Sequence, residues 1–227
     1  MKLNILLSSV TVIAITTTNL TLAENHSQEL EDVEIILEVN ETDQDAEIVL
    51  NVNSDDSIQR FSIWDPDGVK ILHFGSHDRG WIGLSEVIVE TGEPDILSVL
   101  NAYPEGKYKI RMHTMPGEQF GGKAVLSHDF LPAPIFSPSA GELVEPKDDL
   151  IISWDPVDGA QAYSIEIEQD DLEVKLSAVL DGDKKRFVVP AGFLLPGVEY
   201  EIGMATVAAN GNIAVAEGGF ETTNETK

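Results

Sequence analysis

The chain has 227 residues, no cysteine, and 40 Asp and Glu against 14 Lys and Arg, which gives a formal net charge of −26 at pH 7. The missing cysteines exclude a disulfide framework and a thiol nucleophile. So large a negative charge opposes binding to nucleic acid and to anionic membrane surfaces. We therefore expect domains that bury their cores without disulfides, a solvated acidic surface and no nucleic-acid partner.

The first 23 residues have the composition of a secretory signal peptide. Lys2 is their only charged residue, an apolar run occupies 5–15, and Ala23 precedes an acidic segment. The alternative is an uncleaved anchor, but Ser and Thr interrupt a run that is already short for a span. We predict cleavage after residue 23, a polar leader at 24–32 and no membrane span in the mature chain. The signal and the missing cysteines indicate an exported bacterial protein, periplasmic or extracellular.

Residues 33–131 predict an N-terminal β-sandwich. Short segments in which apolar and polar residues alternate, separated by turn sequences, are typical of strands in such folds. These segments are 33–39, 46–52, 61–64, 69–74, 84–91, 106–114 and 123–130. One helix interrupts them, at 94–102, where Pro94 suits a first turn and Ile96, Leu97 and Leu100 form an apolar stripe.

Residues 132–222 predict a second β-sandwich, followed by a short tail at 223–227. The alternating segments here begin at Leu150, Ala162 and Glu199, and Asp-Gly or Asn-Gly turns separate the strands.

This second segment resembles a fibronectin type III module. In that family a tryptophan ends the second strand, as Trp154 would here, and a Leu-x-Pro-Gly-x-x-Tyr sequence opens the sixth, matched by Leu194, Pro196, Gly197 and Tyr200. The first segment has a looser likeness, with Trp64 and Tyr108 at a similar separation. The resemblance implies an all-β chain of two tandem immunoglobulin-like or fibronectin type III-like sandwiches. It also implies that five aromatic residues lie in the cores: Trp64, Tyr108, Trp154, Tyr163 and Tyr200.

The sequence contains no motif that indicates catalysis. G-x-S-x-G, H-E-x-x-H and a phosphate-binding glycine loop are all missing. We therefore expect a non-enzymatic binding or scaffold protein whose modules contact a protein or a polysaccharide of unknown identity. A hydrolase is a further alternative, and it would need two carboxylates across a cleft.

Two kinds of metal site are open as alternatives. Asp43, Asp45, Asp65 and Asp67 lie in turns and could supply oxygen ligands to calcium, although turns are rich in Asp for local reasons as well. His73, His77, His113 and His128 fall in the first segment, where Met112 would add a thioether suited to copper. Because Met112 alternates with Tyr108 and Ile110, we expect it in the core. No other cofactor is expected.

A basic stripe in this acidic chain is the remaining candidate site. Lys107, Lys109, Arg111 and His113 alternate on the outward face of one predicted strand. The simpler interpretation is that carboxylates on neighbouring strands pair with them. The functional interpretation is a docking stripe for a polyanion or for the acidic face of a partner.

Overall fold

The computed structural model describes residues 28–30, 33–75, 84–115, 117–169, 171 and 173–224. The predicted signal peptide lies outside these residues, as do His77, parts of the leader and most of the tail. Within them the chain forms fifteen β-strands and one helix, α1 (Ile96–Ala102). The strands are β1 (Gln28–Glu29), β2 (Val33–Asn40), β3 (Asp45–Trp64), β4 (Lys70–Gly75), β5 (Leu84–Glu90), β6 (Gly106–Thr114), β7 (Gln119–Leu126), β8 (Phe136–Ser137), β9 (Glu142–Val144), β10 (Leu150–Trp154), β11 (Ala162–Gln169), β12 (Val174–Asp181), β13 (Arg186–Val189), β14 (Glu199–Val207) and β15 (Ile213–Thr222).

Contacts divide the described residues into two units. The C-terminal unit consists of 38–45 and 129–224, and the N-terminal unit of 28–37 and 46–128. Residues 38–45 count with the C-terminal unit because Glu38–Asn40 pair in parallel with Ile213–Val215. The boundaries expected from sequence, 33–131 and 132–222, remain a prediction about which segments fold as domains.

The C-terminal unit is a fibronectin type III-like β-sandwich. One sheet has the order β13-β10-β8, and the other has the order β15-β14-β11-β12 with β9 in parallel beside β15. Inward residues of both sheets form one core that includes Trp154, Tyr163 and Ile202. The seven main strands in two antiparallel sheets are the arrangement that this family shares with immunoglobulin domains, so the predicted resemblance is confirmed.

Trp154 and Tyr200 occupy the positions that the resemblance implies. Trp154 is buried at the end of β10 and meets the ring of Tyr163 edge-on, with 5.2 Å between centroids. The Tyr200 hydroxyl accepts a hydrogen bond of 2.9 Å from the backbone N–H of Leu195. This bond fixes the corner at which the chain enters β14, as in the tyrosine corner of related sandwiches.

The N-terminal unit is organised around the twenty-residue strand β3. Its first part pairs with β2 and β5, and its second part pairs with β4 and β6, while β7 and β1 extend the sheet beyond β6. Register shifts between Asn53 and Arg60 separate the two parts. The sequence predicted two strands here, 46–52 and 61–64. The structure has one strand through 54–57, with a shift of pairing register there, which is a correction to that prediction.

Two local predictions in the N-terminal unit have different outcomes. The helix is present but begins at Ile96, after Asp95, whose carboxylate accepts a hydrogen bond from the backbone N–H of Ser98 as an N-cap. Its buried residue is Val99, whereas Leu97 is 70% exposed, so the predicted apolar stripe is wrong in part. Tyr108 is fully buried, as predicted, and donates a 3.0 Å hydrogen bond to the carbonyl oxygen of Pro104.

Candidate functional site

The basic stripe lies on β6 as the alternation predicted. Lys107, Lys109 and Arg111 are exposed, while Tyr108, Ile110 and Met112 between them are buried. The burial of Met112 confirms that it belongs to the core. The strand therefore presents one cationic side chain to solvent at every second residue, about 6.8 Å apart.

Neighbouring strands extend the stripe into a surface. On β7 Lys123 lies directly opposite Lys109, and on β3 Arg60 lies directly opposite His113. Residues directly opposite in an antiparallel pair share one face of the sheet. One strand further out, Lys70 and His73 of β4 pair with Trp64 and Ser62 of β3, which are themselves opposite Lys109 and Arg111. We call this surface the basic face; its residues are Arg60, Lys70, His73, Lys107, Lys109, Arg111, His113 and Lys123.

The interpretation that carboxylates on neighbouring strands pair with the stripe is wrong. On β7 the residues opposite Lys107, Lys109, Arg111 and His113 are, in that order, Val125, Lys123, Gly121 and Gln119. On β3 the residues opposite Lys109, Arg111 and His113 are, in that order, Trp64, Ser62 and Arg60. Within the described part of the chain, the salt bridges are made by Lys175 and Lys184, both in the C-terminal unit. The six Lys and Arg of the basic face, out of 14 in the protein, therefore stand together without an ion-pair partner among those residues.

Trp64 lies at the centre of the basic face and not in the core. It is half-buried, with the Lys70 ammonium 5.0 Å and the Arg111 guanidinium 5.5 Å from its ring centroid. Such cation–π contacts contribute about 0.5–1 kcal/mol each at exposed sites. The predicted core position of Trp64 is corrected because its neighbours Phe61 and Ile63 fill the inward positions and the pleat turns Trp64 outward.

The two histidines of the basic face respond to their surroundings in different ways. Burial, and then the positive charges of Arg60 and Arg111, lower the pKa of His113. The Nδ1 atom of His73 lies 2.8 Å from the Ser62 hydroxyl on the adjacent strand. The positive charges of Arg60 and Arg111 thus act on one histidine of their own face.

The aspartates proposed as calcium ligands lie in two separate turns. In the β3–β4 turn, the Asp65 carboxylate accepts a 2.8 Å hydrogen bond from the backbone N–H of Val69, and Asp67 is exposed. In the β2–β3 turn Asp43 is exposed, and Asp45, which follows as the first residue of β3, is buried. No group of three or more His, Cys, Asp and Glu within the described ranges is arranged to hold a metal ion. Calcium binding stays a prediction.

Of the histidines considered for a softer metal, His128 is engaged elsewhere: its Nε2 atom lies 2.8 Å from the carbonyl oxygen of Tyr103.

Two carboxylates of the C-terminal unit share one cation. The Lys175 ammonium on β12 lies 2.6 Å from carboxylate oxygens of both Glu166 and Glu168 on β11, and the Ser177 hydroxyl donates a 3.3 Å hydrogen bond to Glu166. Burial raises the pKa of Glu166, although Lys175 opposes this. These contacts link the outer strand β12 to β11, so the two carboxylates stabilise the sheet.

Glu217 on β15 provides a pH-dependent contribution to stability. Burial raises its pKa, and the negative charges of Asp43, Glu201 and Asp45 add to the shift, while a 3.1 Å hydrogen bond from Asn40 opposes it. The folded state thus binds this proton more tightly than the unfolded state does. The resulting destabilisation is present above the folded-state pKa and is relieved as pH falls through it.

Glu217→Gln is therefore expected to raise the unfolding free energy by roughly 1 kcal/mol at pH 8, about 4 °C in Tm, and to have little effect at pH 4. Thermal melts at the two pH values measure this difference. Glu221→Gln, at an exposed position on the same strand, is the matched control. Equal gains from Glu217→Gln at both pH values would contradict the assignment.

The chain matches several solved structures at low sequence identity. No family model matches the chain, and no curated protein matches it. Among solved structures, a two-domain fibronectin type III segment of chicken tenascin is 15% identical, covers 84% of this chain and 98% of its own, and has a TM-score of 0.33. The FN1–FN3 domains of chicken contactin are 8% identical, with 86% and 65% covered and a TM-score of 0.34. A fibronectin type III domain of human collagen α1(XX) is 22% identical, with 44% and 94% covered and a TM-score of 0.33.

No helix in the described ranges is both long enough and apolar enough to cross a membrane.

The sequence predicted the cations of β6 but missed Arg60, Lys70, Lys123 and the outward position of Trp64. These residues come together through strand register, which the local patterns of β3, β4 and β7 do not specify.

Proposed function

We propose that this chain is an exported, non-enzymatic binding or scaffold protein that contacts an anionic partner, protein or polysaccharide, through the basic face of its N-terminal unit. The observation that carries the proposal is the cluster of six cations on one sheet face, without ion-pair partners among the described residues, in a protein with net charge −26. Residues 1–23 support export, and two β-sandwich units support a binding or scaffold role.

Clustering cations in this way costs stability unless something offsets it. Lys109 and Lys123 are directly opposite each other, and like charges in such positions are destabilising. Forty carboxylates elsewhere in the sequence could have neutralised them. A bound anion would remove the repulsion, so the face has the electrostatics of a binding surface.

The proposal is tested with the triple variant Lys107→Glu, Lys109→Glu, Arg111→Glu. Binding of dextran sulfate, a generic polyanion, is measured by isothermal calorimetry at 50 and 500 mM NaCl. We expect the variant to bind about tenfold more weakly or worse at low salt, and high salt to weaken wild-type binding because it screens exposed charges.

A matched control distinguishes an effect of the basic face from an effect of the net charge. Lys147→Glu, Lys185→Glu, Arg186→Glu alters three exposed residues of the C-terminal unit, and each triple variant changes the net charge by 3 × (−2) = −6. The control should bind as wild type does. Equal weakening of both variants, or no binding by wild type, would overturn the proposal.

A further inference from the structure

We propose that the anionic partner is a linear acidic polysaccharide, carboxylated or sulfated, that lies along β6 with its sugar rings beside Trp64. This inference rests on the proposed function and gives the chemical class of its partner. It is carried by the size of the basic face, by the spacing of its cations and by the aromatic ring at its centre.

The basic face is a small strip, so a folded protein partner would also have to contact residues outside it. From Lys107 to His113 it extends about 20 Å along β6, and from β7 to β4 it spans about 14 Å across the strands. The flat area of sheet beneath it is therefore roughly 300 Å². Standard protein–protein interfaces bury about 800 Å² on each partner. A linear chain, in contrast, can make all of its contacts within a strip of this size.

The cations of β6 form a line, and cations on the neighbouring strands flank it. Lys107, Lys109 and Arg111 follow one another at about 6.8 Å along β6, and Lys123 flanks Lys109 at about 4.8 Å across the sheet. Arg60 flanks the line at its far end, opposite His113. A polysaccharide with acidic groups at regular intervals places its charges along such a line, and the flanking cations accept groups that project to either side.

Trp64 gives the face a feature that a simple anion would not use. Its half-exposed indole lies between Lys109 and Lys70 in one row across the strands. The Lys70 and Arg111 cations lie over the indole ring, so the apolar C–H face of a sugar ring would pack on it by displacing one of them, which would then meet the acidic group of the sugar. Beside this row, the exposed His73 ring, whose Nδ1 atom meets the buried Ser62 hydroxyl, can bond a sugar hydroxyl through its other nitrogen.

Charge density argues against duplex nucleic acid and an acidic peptide. Duplex DNA carries one negative charge per about 1.7 Å of axis, so the carboxylates elsewhere on the protein repel it more strongly than they repel a sparsely charged polysaccharide. A disordered acidic peptide must lose about 1–2 kcal/mol of backbone entropy per ordered residue, and it offers no sugar ring to Trp64.

The test uses residues 24–227, the predicted mature chain, and four probes: polygalacturonate, dextran sulfate, poly-L-glutamate and a short DNA duplex. We expect polygalacturonate to bind at least about fivefold more tightly, per acidic group, than poly-L-glutamate or DNA. Trp64→Ala should weaken polygalacturonate binding about fivefold and poly-L-glutamate binding less than twofold. Trp64→Phe should restore most of the loss, which keeps the test informative where the alanine variant is less stable.

The outcomes separate this inference from the proposed function. Tighter binding of poly-L-glutamate or DNA, or equal effects of Trp64→Ala on every probe, would overturn the polysaccharide assignment, while the basic face would remain the anion site if the charge-reversed triple variant fails to bind. Failure of all four probes to bind wild type would overturn both proposals.

Discussion

Phe220→Ala is expected to destabilise the C-terminal unit by about 3–5 kcal/mol, or 15 °C or more in Tm. Phe220 is fully buried on β15, and its ring stacks on that of Tyr200 with 5.6 Å between centroids. Removing it takes apolar area out of the core and leaves a cavity beside the tyrosine that fixes the entry to β14. Single domains are stable by only about 5–15 kcal/mol, so the variant should be close to unfolding at 37 °C.

Val188→Ala is the control for this substitution. Val188 lies on β13 of the same unit but is 44% exposed, so its truncation should cost about 0.5 kcal/mol or less. Chemical denaturation of both variants, followed by near-ultraviolet circular dichroism, measures the two losses. Similar midpoints for the two variants would show that the core around Phe220 is not packed as described.

Gly182→Ala is expected to cost about 3 kcal/mol for a steric reason. A Cβ atom at residue 182, in the turn between β12 and β13, would overlap the backbone carbonyl group of Ala160. The Gly182 backbone N–H also donates a 2.9 Å hydrogen bond to the carbonyl oxygen of Gln161, so the two segments cannot separate without losing that bond. Because the obstacle is backbone, no side-chain rotation relieves it.

Gly92→Ala is the control for added volume. A Cβ atom at residue 92 would meet nothing within 4 Å. The melting temperature of the Gly92→Ala variant should therefore match that of wild type within about 2 °C. Thermal melts of both variants provide the comparison. A Gly182→Ala protein that melts with wild type would contradict the close approach of the two segments.

The parts of the fold that could be predicted are those with a local cause. Burial of one face gives β6 and β10 an alternation of buried and exposed residues. The Pro-Gly sequence before Tyr200 predicts the corner that the Tyr200 hydroxyl fixes. The four residues of the stripe belong to this class, because alternation alone places them on one face.

The rest depends on pairing between distant segments. Lys123 joins Lys109, and Lys70 joins Trp64, through register that neither strand specifies alone. The same dependence on register explains the wrong prediction for Trp64. Its likeness to Trp154 suggested a core position, but a shift of one residue along a strand directs a side chain to the other face of the sheet. The number of strands was also misjudged at 54–57, where polar residues continue β3 instead of interrupting it.

The long strand β3 also has a consequence for how the N-terminal unit unfolds. One part of it pairs with β2 and β5, and the other with β4 and β6, so a single backbone segment belongs to both sets of pairings. Opening either set removes partners from a strand that the other set needs. Sub-global opening is therefore coupled to global unfolding. The strand that carries Arg60 and Trp64 into the basic face should hold the most slowly exchanging amide protons of its unit.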